Sequence, residues 1–538
     1  MRTDDADQTA GEFSGSAPLG RAVRTVSALT LISRFAGLAR DLITVRVFGD
    51  TAVGSAFVSA FSIPNTFRRL FGEGALAAAF IPEYASLLRQ DPATARRFAS
   101  LTVAVLFIVT GAITVLGEIA LLALLAALPQ NAERSLSLQL IMLMLPFMPL
   151  ICVAATLGGM LQVHDRFGPH AAQPIVLNAF IIAAASTHFV LPGSTPQRTA
   201  FLIGGAAVAA GAAQIVWAML ALRRNVRWTR VVTGVGDSVR RMLRRYVPVV
   251  IGMGTLQINA LLDTLIAMWP IWVAPTIFGM TYPLDTGSAS ILFFSQRLYQ
   301  FPLGVFGVAV ATVVFPMLAR RAHDSASFAQ TLRRGIRLSL FIAMPAGVGL
   351  WLVRRELIAV MFTGGSFGFS ADGAARAAAV LGGYSLAVWA YSLNHVLTRA
   401  FYAMGDTLTP VRVSVAMVAL NVTLNLVLIW PLREAGLAWS TAFTAVLQCL
   451  ILIALSRRLL PGGPLFDTGT RRALARIAGL TLAMAVLVLI TRIIAPAGTA
   501  WTHSFVSLLL AAGVGALGYL ALARAVRSPE LRWLLHRD

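Results

Sequence analysis

Long apolar runs, punctuated by short polar clusters rich in arginine, make up most of this chain. An α-helix needs about 20 mostly apolar residues to cross a bilayer. Runs of that kind begin near residues 24, 54, 98, 135, 171, 199, 246, 287, 332, 375, 410, 435, 473 and 502, which predicts an all-α polytopic membrane protein of about fourteen transmembrane helices. An even number of crossings returns both termini to one side. Arginines crowd alternate linkers, in RQDPATARR (89–97), RRNVRWTR (223–230), RRMLRR (240–245), ARRAH (319–323) and RRLLPGGPLFDTGTRR (457–472), whereas PIWVAPTIFGMTYPLDTG (270–287) has none. Basic loops stay in the cytoplasm, so both termini are expected there. RRE (354–356) is the exception, on the opposite side by this count.

Landmarks recur along the chain. ARDLIT (39–44) in the first span is matched by LLDTLIA (261–267) in the seventh. Pro64, Gly72 and Gly74 break the second span, which closes on Pro82; Pro302, Gly304 and Gly307 break the eighth, which closes on Pro316. GGMLQVHDRF (158–167) ends the fourth span and TRAFYAMGDT (398–407) the tenth. The pattern predicts two pseudo-symmetric six-helix lobes, 22–223 and 243–458, joined by a basic cytoplasmic linker at 224–242 and followed by a C-terminal helix pair at 459–526. Residues 1–21 are polar and partly acidic and lack the apolar core of a signal peptide, so a disordered cytoplasmic tail is expected there, with a second tail at 527–538. Interrupted spans at corresponding positions of two repeats point to a transporter's substrate site, because irregular backbone at membrane depth must be buried in protein or line an aqueous cavity.

Composition narrows the function. The chain is 57% hydrophobic and only 12% charged, outside the range of soluble domains, which are about 25% charged. Its net charge of +21 is carried by arginines dispersed in loops, the pattern of membrane orientation rather than of nucleic-acid binding. All basic residues are arginine, which excludes a P-loop lysine and Schiff-base chemistry. Cys152 and Cys449 lie in apolar runs without metal-ligand spacing, and the seven histidines are scattered, with His164 and His395 near span ends. Neither an enzyme's catalytic constellation nor an ATP site is present, so a transporter is expected.

The charges inside the apolar runs are the informative ones, since each costs at least about 2.5 to 3.5 kcal/mol near the centre of a span. Arg34, Gly37 and Asp41 share one helix face and Arg40 lies on its flank; Arg69 and Glu73 are spaced to pair, leaving Arg68; Arg297 stands in the eighth span. Two readings of Arg34, Arg40, Arg68 and Arg297 stay open. They could snorkel to the interface or bridge helices, or they could line a cavity as an anion site, where guanidinium forks suit phosphate oxygens. A second polar set comprises Asp263 with Asn259 one turn before it, Asn421 with Asn425, and Thr441. Asp263, Asn421, Asn425 and Thr441 have the oxygen ligands that suit a hard monovalent cation such as sodium, and interhelical hydrogen bonding is the competing reading.

SRFAGLARD (33–41), FSIPNTFRRLFGEGALAAAFIPEYASLL (61–88), QRLYQFPLGVFGVAVATVVFPMLAR (296–320) and LTRAFYAMGDTLTP (397–410) together resemble the MurJ (MviN) family of lipid II flippases, within the multidrug/oligosaccharidyl-lipid/polysaccharide exporter superfamily. The resemblance runs from about residue 22 to 525. It implies fourteen helices in two lobes and alternating access that carries undecaprenyl-pyrophosphate-linked peptidoglycan precursor to the outer leaflet of the bacterial inner membrane. The family's cavity arginines match Arg34, Arg40, Arg68 and Arg297, and its C-terminal pair is associated with a groove for the lipid tail. The implied partners are lipid II, membrane lipids and other cell-wall synthesis proteins, with the chain working as a monomer and no cofactor beyond the cation. Where some relatives carry an aspartate and a lysine in the second span, this chain has Ser55 and Ser62; where some carry acids around the eighth-span arginine, it has Gln296 and Gln300. A flippase for another polyprenyl-linked oligosaccharide would use the same arginines, a cation-coupled multidrug antiporter would be expected to use acidic or apolar cavity residues, and a non-transporting scaffold would pair the arginines structurally.

Overall fold

The structure, a computed structural model, describes residues 16–129, 131–304, 308–364, 367–460, 464–494 and 501–535. Gly307 and the first fifteen residues of the expected N-terminal tail therefore lie outside the described residues. The first half of the chain forms α1 (Ser16–Phe48), α2 (Ala52–Phe67), a π-helical segment (Arg68–Glu73), α3 (Gly74–Gln90), α4 (Pro92–Ala127), α5 (Ala132–Met144), α6 (Phe147–Val163), α7 (Phe167–Val190), α8 (Pro196–Leu222) and α9 (Gly236–Trp272). The second forms α10 (Ser288–Pro302), α11 (Val308–Arg320), α12 (Ser325–Leu352), α13 (Arg354–Phe362), α14 (Ala371–Ser385), α15 (Val388–Ala403), α16 (Leu408–Leu432), α17 (Glu434–Ser456), α18 (Thr468–Ile494), α19 (Trp501–Ala525) and α20 (Pro529–Leu535). Two small hairpins, β1–β2 (Thr276–Ile277, Met280–Thr281) and β3–β4 (Thr363–Gly364, Phe367–Gly368), are the strands among the described residues.

This is a helical, multi-pass membrane fold. Among the described residues nine helices are long and apolar enough to cross a bilayer: Pro92–Ala127, Ala132–Val163, Phe167–Val190, Pro196–Leu222, Ser325–Leu352, Leu408–Leu432, Glu434–Ser456, Thr468–Ile494 and Trp501–Ala525. The other five expected spans coincide with α1, α2 to α3, α9, α10 to α11, and α14 to α15, which carry charges or are interrupted. Exposed Leu116 and Ile119 on α4, Leu482 on α18 and Leu517 on α19 give these helices apolar outer faces suited to lipid.

The recurring landmarks have recurring backbone geometry. Pro64 in α2 and Pro302 in α10 each remove one i→i−4 hydrogen bond. Wide π-type turns follow both, at Arg68–Glu73 and at residues 303–304, and take up the slack. α6 and α15 both end in Schellman-type closures: Asp165 (φ 58°) and Gly405 (φ 80°) turn left-handed, while Arg166 N–H reaches Leu161 C=O and Asp406 N–H reaches Phe401 C=O. Asp91 and Asp324 cap α4 and α12 in the same way, accepting from the second and third amides of each helix.

By their contacts the residues form two compact units, one of residues up to Val47 with Ser59–Gln257, the other of Phe48–Val58 with Ile258 onward. The division falls inside α9, after Gln257, rather than in the expected linker at 224–242, because α9 is one continuous helix. Phe48–Val58 sits tightly in the second unit. Ser290 donates from Oγ to Gly49 C=O (2.6 Å) and from N–H to Ser55 Oγ (3.1 Å), and the Asp50 carboxylate accepts from Ser370 N–H (2.9 Å) at the start of α14. Gly49 (φ 57°) has no room for a side chain, since a Cβ would lie 2.5 Å from Gly368 O.

The second unit's apolar core runs through α11, α12, α15 and α17. A buried acid helps to tie its C-terminal helices to it. Glu530, fully buried in α20, receives Arg337 of α12 (2.6 Å), Arg476 of α18 (2.7 Å) and Ser528 Oγ (2.6 Å), while Trp533 lies 4.8 Å beneath the Arg337 guanidinium. Burial alone would raise the Glu530 carboxyl, but Ser528 and Arg337 outweigh it and hold it below its ordinary value. Its stabilisation is therefore present above the ordinary glutamate pKa and lost as pH falls through the folded-state value. Glu530→Gln should lower the melting temperature in detergent, toward the low end of the about 3 to 5 kcal/mol for breaking a buried pair. It should also remove part of the acid sensitivity of the melt; a variant that melts like the parent at both neutral and acid pH would refute the clasp.

Candidate functional site

In the first unit, α1 carries Arg34 and Arg40, both half-buried. The Arg40 guanidinium reaches around the helix to its neighbour, donating Nε–H (3.0 Å) and Nη2–H (2.7 Å) to Asp41 Oδ1, and it donates Nη1–H to Asn178 Oδ1 of α7 (3.1 Å). The Phe61 ring lies beneath it, 5.1 Å from the guanidinium carbon. The sequence placed Arg40 on the flank of the face that carries Asp41. The structure pairs it with Asp41, because a side chain only 13% exposed needs a counter-charge within reach. Asn178 also donates to Ser33 C=O (3.4 Å), and its amide stands 3.6 Å from where a Cβ on Gly37 would be, so the room beside Gly37 is used by α7.

Arg68 opens the π segment, half-buried, and donates Nε–H to Asn65 Oδ1 (3.3 Å). Asn65 in turn donates to Phe61 C=O (2.9 Å), within the last turns of α2 after Pro64. Arg69 is exposed; the Glu73 side chain, its expected partner, lies outside the described residues.

In the second unit, Arg297 stands on α10 with its guanidinium 4.4 Å over the Phe293 ring and Nη1–H donated to Gln300 Oε1 (3.4 Å). Gln296 donates to Tyr384 Oη (2.8 Å), whose ring stacks on Tyr299 (4.6 Å). The two glutamines that stand where some relatives carry acids thus act as neutral hydrogen-bonding partners. At the head of α10, Arg376 of α14 gathers Asp285 (2.6 Å) and the buried Glu434 of α17, with Ser288 hydrogen-bonded to Glu434. Burial would raise the Asp285 carboxyl, but the Arg376 hydrogen bonds and charge hold it below the usual range.

The polar set around Asp263 converges. Asn425 Nδ2–H donates to Asp263 Oδ1 (2.6 Å) and to Asn421 Oδ1 (3.1 Å); Asn421 Nδ2–H reaches Thr441 Oγ1 and Ser440 Oγ (3.3 Å each); Ser440 Oγ–H bonds Asn425 Oδ1. Asn259 Oδ1, one turn before Asp263, is buried and has no donor among the described residues. Hydrogen bonds thereby gather carboxylate, amide and hydroxyl oxygens of Asp263, Asn421, Asn425, Ser440 and Thr441 across α9, α16 and α17, with Asn259 one turn away on α9, a set whose chemistry fits a hard monovalent cation.

Sequence reasoning did not find Asn178, Phe61, the Tyr299–Tyr384 stack or the Arg376 cluster, whose partners are far apart in the chain. Phe293 was within reach, since it stands four residues before Arg297 on one helix face.

The family model described as "Lipid II flippase MurJ" matches residues 44–511, which include Arg68, Arg297 and the Asp263 set, while Arg34 and Arg40 lie just before it. A probable lipid II flippase MurJ from Vibrio cholerae is 32% identical over 445 residues, covering 79% of this chain and 81% of the relative. One from Rhizobium tropici is 31% identical over 449 residues, covering 81% and 80%. A solved lipid II flippase MurJ in an inward closed conformation superposes with a TM-score of 0.73 at 21% identity, covering 93% of this chain and 99% of that one. An inward-facing multidrug-resistance transporter of the MATE family superposes with a TM-score of 0.64 at 12% identity, over 83% of this chain. The chain belongs to the lipid II flippase MurJ family, a family of transporters rather than enzymes.

Proposed function

We propose that this protein moves lipid II from the cytoplasmic to the outer leaflet of the bacterial inner membrane by alternating access, with the pyrophosphate held by Arg34, Arg68 and Arg297 and by Arg40 as a shared member. The observation that carries this reading is the placement of half-buried arginines on interrupted helices, with Arg68 opening the π turn after Pro64 and Arg297 ahead of the one after Pro302. Guanidinium stays charged throughout the physiological range, so each cavity arginine retains a standing preference for a polyanion. Arg40 already has Asp41, so it meets the anion only by exchanging partners and contributes less to binding than to keeping α1 and α7 together. The arginine-rich linkers support cytoplasmic termini. The same arginines would serve another polyprenyl-linked oligosaccharide. Depleting the protein and identifying which lipid-linked precursor accumulates on the cytoplasmic side separates the two.

For the Asp263 set the reading is ion coupling. Asp263, Asn421, Asn425, Thr441 and the Asn259 oxygen, which has no donor among the described residues, would hold sodium, and the ion would supply the charge that the Asp263 carboxylate lacks among its described hydrogen-bond partners. Bound more tightly in one conformation than the other, it would bias the second unit toward that conformation.

Arg34→Ala and Arg297→Ala should each abolish transport in a depletion strain while the protein still inserts, and wild-type growth with either variant would remove the anion site. Arg297→Lys should keep part of the activity, because it retains the charge and loses the bidentate fork; full activity would mean that charge alone is read.

Sodium, and not potassium, should raise the melting temperature of the purified protein in proportion to ln(1 + [Na+]/Kd). Asp263→Asn should abolish that shift while leaving a folded protein, and an unchanged shift in the variant would eliminate the ion site independently of any transport assay.

A further inference from the structure

The loop after α9 turns on an unusual residue. Thr276 pairs with Thr281 and Ile277 with Met280, leaving Phe278 and Gly279 as a two-residue turn with φ of 50° and 79°. Positive φ at both positions is the type I′ geometry that Asn-Gly or Asp-Gly normally supplies. A side chain as bulky as phenylalanine in the left-handed region costs about 1 to 2 kcal/mol, and such outliers mark functional positions when the surroundings hold them in place. Phe278 is 94% exposed, the most exposed large apolar side chain among the described residues. Met280, two residues on, is 53% exposed, and Val273, just after α9, is 50% exposed.

The hairpin is braced. Trp269 stacks on Tyr282 (5.9 Å), Tyr282 Oη–H donates to Ile266 C=O in α9 (3.0 Å), and Tyr282 N–H donates to Pro275 C=O (2.9 Å). Phe278 is therefore displayed on a supported finger. α9 is 37 residues long, about 55 Å at 1.5 Å per residue, longer than the roughly 30 Å hydrocarbon thickness. Its arginines, Arg240, Arg241, Arg244 and Arg245, all lie in its first turns, and none follows before Arg297. The hairpin is thus at the end opposite the basic one, next to Trp269 and Trp272, in the position of an interfacial aromatic belt.

We infer that the β1–β2 hairpin inserts its tip, Phe278 with Met280, into the headgroup and acyl boundary of the extracytoplasmic leaflet. Residues 270–284 contain no charged side chain, so nothing there resists transfer into that layer. A protein-binding tip would carry a polar rim to fix register, whereas here Thr276, Thr281 and the braced Tyr282 are the side-chain polar groups. The insertion holds the outer end of α9 at a fixed depth.

The test uses the full chain in phosphatidylcholine vesicles. Cys152 and Cys449 are both fully buried, so a fluorophore can be placed selectively on Phe278→Cys and, separately, on Met280→Cys. Both labels should be quenched by lipid carrying a nitroxide on its acyl chain and shielded from aqueous iodide. Adding Phe278→Asn to the Met280→Cys chain should abolish lipid quenching while leaving the melting temperature in detergent equal or higher, because asparagine tolerates the left-handed turn. Iodide quenching without lipid quenching at both positions would overturn the proposal. So would shielding that appears only after a cell-envelope protein extract is added, since that outcome assigns the tip to a protein.

Discussion

A charge or an unpaired backbone group at bilayer depth costs several kcal/mol unless something answers it, and most of the irregular features of this protein are answers to that constraint. Prolines in α2 and α10 free a carbonyl each, and π turns close after them. Arg40 reaches around its own helix to Asp41 although adjacent residues on a helix do not face each other. Phenyl rings beneath Arg40 and Arg297 supply part of the electrostatic support that water would otherwise give. Outside the bilayer the same chemistry serves as fastening: Glu530 with two arginines binds the C-terminal helices to α12, and Arg376 with Asp285 and Glu434 holds the head of α10.

Much of this was legible in the sequence because the bilayer imposes a length scale. Each expected span start falls on a helix or just before one, since about 20 apolar residues admit few alternatives to a helix. The landmark pairs were legible as residues and turned out to be backbone motifs, with Pro64 and Pro302 preceding π turns and HDR and MGD closing helices through left-handed residues. The convergence of Asp263 with Asn421, Asn425 and Thr441 was also foreseeable, because polar residues on apolar faces have few places to go other than toward one another.

What stayed hidden is pairing over long sequence separation. Asn178 is an ordinary polar residue in an apolar run, and only packing of α7 against α1 at Gly37 shows that it answers Arg40. The assignment of Phe48–Val58 to the second unit depends on glycines and serines whose role is to be small, a signal that hydropathy does not carry. The hairpin at Phe278 was hidden too. Its loop is legible as a linker, but hydropathy does not mark a hairpin within it, and Phe-Gly is not a residue pair that announces a two-residue turn.

The two halves use one arrangement for different chemistry. In the first unit the acid of ARDLIT, Asp41, stands in the first span and the asparagine nearby, Asn178, in the fifth; an arginine lies between them and bonds both. In the second unit the matching acid of LLDTLIA, Asp263, stands in the seventh span and bonds Asn425 of the eleventh directly, with no arginine beside it in the sequence. First-to-fifth and seventh-to-eleventh are equivalent helix pairs, so the repeat preserves an acid and an amide across the same junction and varies the cation. Where arginine supplies the positive charge, Asp41 is neutralised by its own neighbour on the helix. Where it does not, Asp263 bonds an amide and, among the described residues, no cation, and this difference is the one on which the proposed ion coupling rests.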